Sequence, residues 1–257
     1  MEGGGGESAQ HLVEALRGRV QHFLHCGTIW AHGPSVIVPT TEEQARRAFG
    51  AYGIQKAAIE GYLLREARLS GFPATVLMPG HIVGPGWVPL NPAGHFNPAV
   101  FETLARGEEL LLPNLGMETV HHVHADDVAL AFLQAMAHWS TSVGQNFHVV
   151  SPAAITLRGY AEAVASWFGR EARLRFLPWD EWAETVTPEE AQATWGPHRS
   201  QSQLQHCQGT AIDQLPTPLF ITTSRSGGGN VVDRAGAYLG LNVQFIGARV
   251  ARLVGTR

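Results

Sequence analysis

The chain reads as an α/β protein built on a parallel sheet. Three observations predict it: short, almost wholly apolar runs such as residues 74–78, helical spacing of apolar residues between such runs, and cap or stop residues where the helices begin and end. Residues 1–10 contain four consecutive glycines, whose backbone entropy opposes any regular element, and are expected to be disordered. A helix over 11–17 with Leu12, Val13 and Leu16 on one face leads to a strand over 20–26. A Gly-, Pro- and Thr-rich loop then reaches a second helix over 51–70, with Ile54, Ala58, Tyr62 and Leu63 at helical spacing and Gly71 as its stop. The buried strand 74–78 follows, then a turn over 79–86 and a proline-stiffened loop over 87–97. Beyond it the pattern predicts a helix over 98–106, strands over 110–112 and 119–123, a helix over 127–138 capped by Asp126, a strand over 146–150, a helix over 157–168 and a strand over 174–177. After Trp195 glutamine and histidine cluster and apolar periodicity fades.

Composition narrows the function. Charged residues make up 16% of the 257 and the net charge is -4, so the basic footprint of a nucleic-acid binder is missing and no such partner is expected. No apolar run is long enough to span a bilayer and no signal peptide opens the chain, so a cytoplasmic protein without a membrane partner is expected. Cys26 and Cys207 are the only cysteines, which fits a reducing compartment.

The residues that carry chemistry lie on the second helix. Tyr52 and Lys56 are four apart, hence on one face, and Lys56 is the only lysine among 18 basic residues. An ammonium beside a phenol favours phenolate; bringing a tyrosine to neutrality takes about 3 pKa units, roughly 4 kcal/mol, and makes a general acid/base. His121, His122 and His124 invite a metal reading, but on a strand His122 and His124 share one face and His121 takes the other, so no metal is expected.

With Cys26-Gly-Thr-Ile-Trp30 ending a strand, Tyr52-Gly-Ile-Gln-Lys56, Pro79-Gly-His-Ile-Val-Gly-Pro-Gly86 and His122-Val-His-Ala-Asp-Asp-Val-Ala129 in that order, the sequence resembles the extended short-chain dehydrogenase/reductase family, the NAD-dependent epimerases and dehydratases. The resemblance implies a Rossmann-like sheet and proton transfer by Tyr52 coupled to hydride transfer with NAD or NADP, with Lys56 also on the nicotinamide ribose. It implies a small polar substrate such as a nucleotide sugar, and a homodimer. The family's third catalytic group is a Ser or Thr hydroxyl, where this chain has Cys26; Thr28, two residues on and pointing the same way on an extended backbone, is preferred, with Cys26 next. Pro79, His81 and Ile82 match the segment that passes the nicotinamide. His81 is also a substrate candidate, as are Asn91, His95 and Asn97 of the loop 87–97.

Two features depart from the family. No Gly-x-x-Gly-x-x-Gly turn precedes Tyr52, so the sheet is expected to lack its first strands and the chain to bind NAD weakly or not at all. The expected organisation is therefore a disordered 1–10, a partial Rossmann-like catalytic domain over 11–150, a substrate-domain remnant over 151–195, and an atypical tail over 196–257. That tail is read as the product of a one-base frameshift near Gly196, which the nucleotide sequence tests. The rival reading is a non-catalytic α/β binding or interaction module.

Overall fold

The computed structural model describes residues 4–33, 37, 40–151 and 154–199. In chain order the elements are α1 (Gly4–Leu16), β1 (Phe23–Cys26), a 3-10 turn (Ile29–His32), α2 (Gly50–Ser70), β2 (Ala74–Pro79), β3 (His81–Val83), α3 (Ala99–Arg106), β4 (Glu109–Pro113), β5 (Thr119–Val120) and β6 (His122–His124). Then come α4 (Ala125–Ala137), α5 (Trp139–Ser142), β7 (Asn146–Val149), β8 (Ile155–Thr156), α6 (Leu157–Trp167), β9 (Arg173–Leu177), α7 (Trp179–Ala183) and α8 (Pro188–Arg199). Among the described residues they fall into two units: those up to Gly80 with those of 125–151, and His81–His124 with those of 154–199.

The first unit is the parallel sheet β1-β2-β7 and its helices. β2 is central and buried at every position, as its apolar sequence requires of a strand covered on both faces. Its one internal polar side chain is satisfied: Thr75 donates to the Ser142 carbonyl at 2.7 Å and meets His22 Nε2 at 2.9 Å. The register sets Cys26 opposite Leu77 and Pro79 opposite Val149. α2 ends at Gly71, whose left-handed φ of 69° lets its N–H return to the Glu66 carbonyl.

The second unit pairs β3 with β6 and β4 with β9 in parallel, and β5 with β8 antiparallel. Phe101, Leu104, Leu112, Leu157, Tyr160 and Trp182 centre its core. Trp182 is fully buried, and its indole N–H donates to the Leu111 carbonyl at 3.1 Å, so its one polar atom is not stranded. Thr156 caps α6 by accepting the Gly159 N–H at 3.0 Å.

The sheet and its order of strands and helices agree with the sequence reading, but several details do not. α1 begins at Gly4, inside the tetraglycine expected to be disordered. Glycine's cost falls only on the first turn there, and Glu7 in that turn favours the positive end of the helix dipole. Asp126 lies within the first turn of α4 and is not its N-cap. On α2 the fully buried positions are Gly53, Glu60 and Leu63, whereas Ile54 is 56% exposed: a paired carboxylate takes a place that apolar spacing assigns elsewhere. Near the break expected at 150, the chain passes between units after 153, one of three crossings among the described residues, because His81–His124 also belongs to the second unit. α8 runs past Gly196, and residues 200–257, most of the proposed frameshifted tail, lie outside the described residues. Among the described residues no helix is long and apolar enough to cross a membrane.

Candidate active site

The first unit gathers Cys26, Thr28, Tyr52 and Lys56. Beyond β1 the chain runs hard against β2. A Cβ on Gly27 would stand 3.0 Å from Val76 Cγ1, and the Gly27 N–H donates to the Leu77 carbonyl at 2.7 Å. Thr28 follows in extended conformation, 6% exposed, and its hydroxyl accepts the Trp30 N–H at 3.3 Å to start the 3-10 turn. The first turn of α2 comes onto that turn: a Cβ on Gly53 would lie 3.4 Å from the Trp30 carbonyl oxygen, and the Trp30 and Phe49 rings are 6.3 Å apart. This seating brings the Tyr52 phenol near enough to the Thr28 side chain for the hydroxyl to favour the phenolate.

Lys56 lies on the same helix face as Tyr52, with Nζ 5.7 Å from the centroid of the phenol ring. The ammonium sits over the ring in cation–π range. Partial burial pushes the half-exposed Tyr52 phenol up, the Thr28 side chain opposes the rise, and the nearby Cys26 adds to it. The Cys26 side chain is exposed; the protein around its sulfur pushes the thiol up, and the charge of Lys56 pulls it down. Pro79 closes β2 and is buried.

The remaining candidates belong to the second unit. His81 and Ile82 form β3 with Val83, paired to β6 in the register His81–His122 and Ile82–Val123. Burial pushes His81 down to about 4 against a hydrogen bond to the His121 carbonyl, so the ring is neutral at neutral pH. Asn91 is fully buried, and its amide serves the loop itself. Oδ1 accepts the N–H groups of Ala93 and His95 at 2.8 and 3.2 Å, and Nδ2 lies 2.8 Å from the Asn97 carbonyl and 3.0 Å from His95 Nδ1. Both Asn91 Nδ2 and the Asn97 N–H point donors at His95 Nδ1, so that nitrogen holds a lone pair and the ring is neutral. Asn97 is exposed but donates to Glu190 at 2.7 Å. Of the expected substrate contacts, Asn91 and the Nδ1 of His95 thus hold the loop together.

Among the described residues no three His, Cys, Asp or Glu side chains gather as a metal site would require. For a dinucleotide, the residues present fit one end only. Tyr52 and Lys56 suit a ribose and nicotinamide, but no strand, glycine turn and helix suited to a diphosphate occurs among the described residues, where the glycines of α1 follow no strand. Sequence reasoning missed a buried polar cluster of His32, Arg46, Glu60 and His148. The one available signal was Glu60, four residues after Lys56.

A parallel sheet with a Thr, Tyr and Lys constellation at the start of the helix between its first two strands defines a protein of the extended short-chain dehydrogenase/reductase kind. The NAD dependent epimerase/dehydratase family matches residues 6–149, and the chain belongs to that family. Among solved structures, it resembles UDP-glucuronic acid 4-epimerase from Bacillus cereus, determined with UDP-glucuronic acid and NAD, at 15% identity and a TM-score of 0.63 over 93% of this chain and 67% of that one. It also resembles the dTDP-glucose 4,6-dehydratase DesIV from Streptomyces venezuelae, determined with NAD bound, at 16% identity and a TM-score of 0.61 over 94% and 67%. These likenesses concern the fold. A curated relative, the chloroplast stem-loop binding protein of 41 kDa b from Arabidopsis thaliana, is 27% identical over 161 residues, which are 62% of this chain and 39% of that protein. The chain thus spans well under half the length of that relative.

Proposed function

We propose that the intact protein is an NAD(P)-dependent epimerase, dehydratase or reductase acting on a hydroxyl or ketone of a nucleotide sugar or similar polar substrate. The observation that carries this reading is the Lys56 ammonium over the Tyr52 ring on one face of α2, with the Thr28 hydroxyl in the turn against which the first turn of that helix packs. Tyr52 moves a proton to or from the substrate oxygen, Thr28 orients that oxygen, and Lys56 offsets negative charge on the phenol and bonds the ribose. The nicotinamide, when bound, takes or supplies the hydride. Bringing Tyr52 from a raised phenol to a working base then falls to the substrate and cofactor, which change the surroundings of its oxygen. Pro79, His81 and Ile82 are assigned to the nicotinamide side of the site.

Tyr52→Phe tests the reading. Incubated with UDP- or dTDP-sugars and NAD in an excess large enough to offset weak binding, the parent chain should convert substrate, and the variant should lose conversion at least a hundredfold. Equal turnover by the two proteins overturns it. The chain itself should bind NAD weakly or not at all, because the diphosphate cradle is missing; micromolar affinity by calorimetry refutes that.

A second reading, a binding or interaction module with no turnover, is supported by the raised phenol and by the 27% identical relative, whose name describes binding. It predicts no conversion by the parent and a partner retained by Tyr52→Phe.

A further inference from the structure

Behind the Thr28–Tyr52 pair lies a polar core that the proposed chemistry leaves unused. Glu60, two turns beyond Tyr52 on α2, is 3% exposed and grips the Arg46 guanidinium through both carboxylate oxygens, Nε at 3.1 Å and Nη2 closer still. Its Oε1 also accepts Asn146 Nδ2 from β7 at 2.6 Å. On its other side, Arg46 Nη1 lies 3.2 Å from His32 Nδ1 and reaches the carbonyls of Gln44 and Glu42 at 2.6 and 3.0 Å.

A guanidinium only donates, so His32 Nδ1 faces it as a lone pair and the ring proton sits on Nε2. That proton is directed to His148 Nε2 at 2.7 Å, across 116 residues of sequence. The backbone makes the same link, since the Arg47 N–H donates to the His32 carbonyl at 2.7 Å. His32 ends the 3-10 turn that Thr28 begins. Arg46 therefore joins the helix bearing Tyr52 and Lys56 to the turn bearing Thr28, with a planar fork that fixes direction as well as distance.

On the reading that Tyr52 and Thr28 handle the substrate proton, we propose that Arg46 is the positioning residue for that pair. Through Glu60 and His32 it holds α2 against the Ile29–His32 turn, and so sets how closely Thr28 approaches Tyr52.

The test is the ionisation of Tyr52, which needs no turnover. Tyrosines labelled with carbon-13 at Cζ are titrated by NMR in the full chain, with Tyr52→Phe assigning its resonance among the four tyrosines. Thr28→Val, which removes the hydroxyl that favours the phenolate, should raise the Tyr52 pKa by roughly one unit, a tenfold change in its ionisation constant. The double variant Arg46→Met with Glu60→Gln removes the fork without stranding a buried charge. It should reproduce most of that rise while the other tyrosines titrate as before. If this variant does not fold, Arg46→Lys, which keeps the charge and loses the fork, carries the same expectation. A folded variant whose Tyr52 titrates as in the parent overturns the proposal, and so does Thr28→Val with no effect. Loss of the enzymatic reading has a separate signature: no conversion by any protein, with the Tyr52 titration still responding to Arg46.

Discussion

Lowering the pH from 7 to 5 should destabilise the protein through two imidazoles that the fold keeps neutral. His32 is pushed down to about 2 by burial and then by the charges of Arg46 and His148. His122 is pushed down to about 3 by burial and by the neighbouring His81. Both folded values lie below that of an unfolded histidine, about 6.5. The neutral rings therefore contribute stability that is intact above about 6.5 and is lost as the pH falls below that value toward the folded ones. At pH 5 each unfolded ring takes a proton that the folded ring refuses, over about 1.5 units, which is roughly 2 kcal/mol per ring and 4 kcal/mol for the pair. His81 acts in the same direction. Such a loss is a large part of the 5–15 kcal/mol typical of a folded domain. Urea unfolding followed by tryptophan fluorescence at the two pH values measures it. His32→Gln and His122→Phe should each flatten the pH dependence by about 2 kcal/mol, whatever they do to stability at pH 7. Equal unfolding free energies at pH 7 and pH 5 in the parent would refute the reasoning.

Gly33→Ala should be severely destabilising, because Gly33 has φ 66° and an added Cβ would fall 1.8 Å from the Arg47 carbonyl oxygen; a melting point within a degree or two of the parent's contradicts this. Trp182→Ala should cost about 3–5 kcal/mol, since it empties the centre of the second unit's core and strands the Leu111 carbonyl, and chemical denaturation reads it directly. Asn91→Leu should lower the melting point, because two backbone N–H groups of the loop lose their shared acceptor and remain buried. Calorimetric loss of ligand affinity at unchanged stability would instead return Asn91 to the substrate contacts.

Fold class, the order of strands and helices, and the neighbourhood of Tyr52 and Lys56 were legible in the sequence because they rest on short-range rules. Side chains four apart on a helix share a face, an apolar run such as β2 must be buried, and a glycine such as Gly71 can take the left-handed turn that ends α2. The same rules point Thr28 and Cys26 to one side of an extended backbone. They say nothing of how either approaches the phenol, which the packing of α2 on the Ile29–His32 turn sets.

What spacing could not supply was anything set by desolvation or by partners distant in the chain. The phenol of Tyr52 is raised where an adjacent ammonium alone would lower it, because partial desolvation outweighs the opposing effect of Thr28. Asn91 and His95 look like ligand groups until the loop is folded and their polar atoms turn out to hold it together. The Glu60–Arg46–His32–His148 chain joins α2, the loop before it, the Ile29–His32 turn and β7, and only the fold brings residues so far apart in sequence within hydrogen-bond distance.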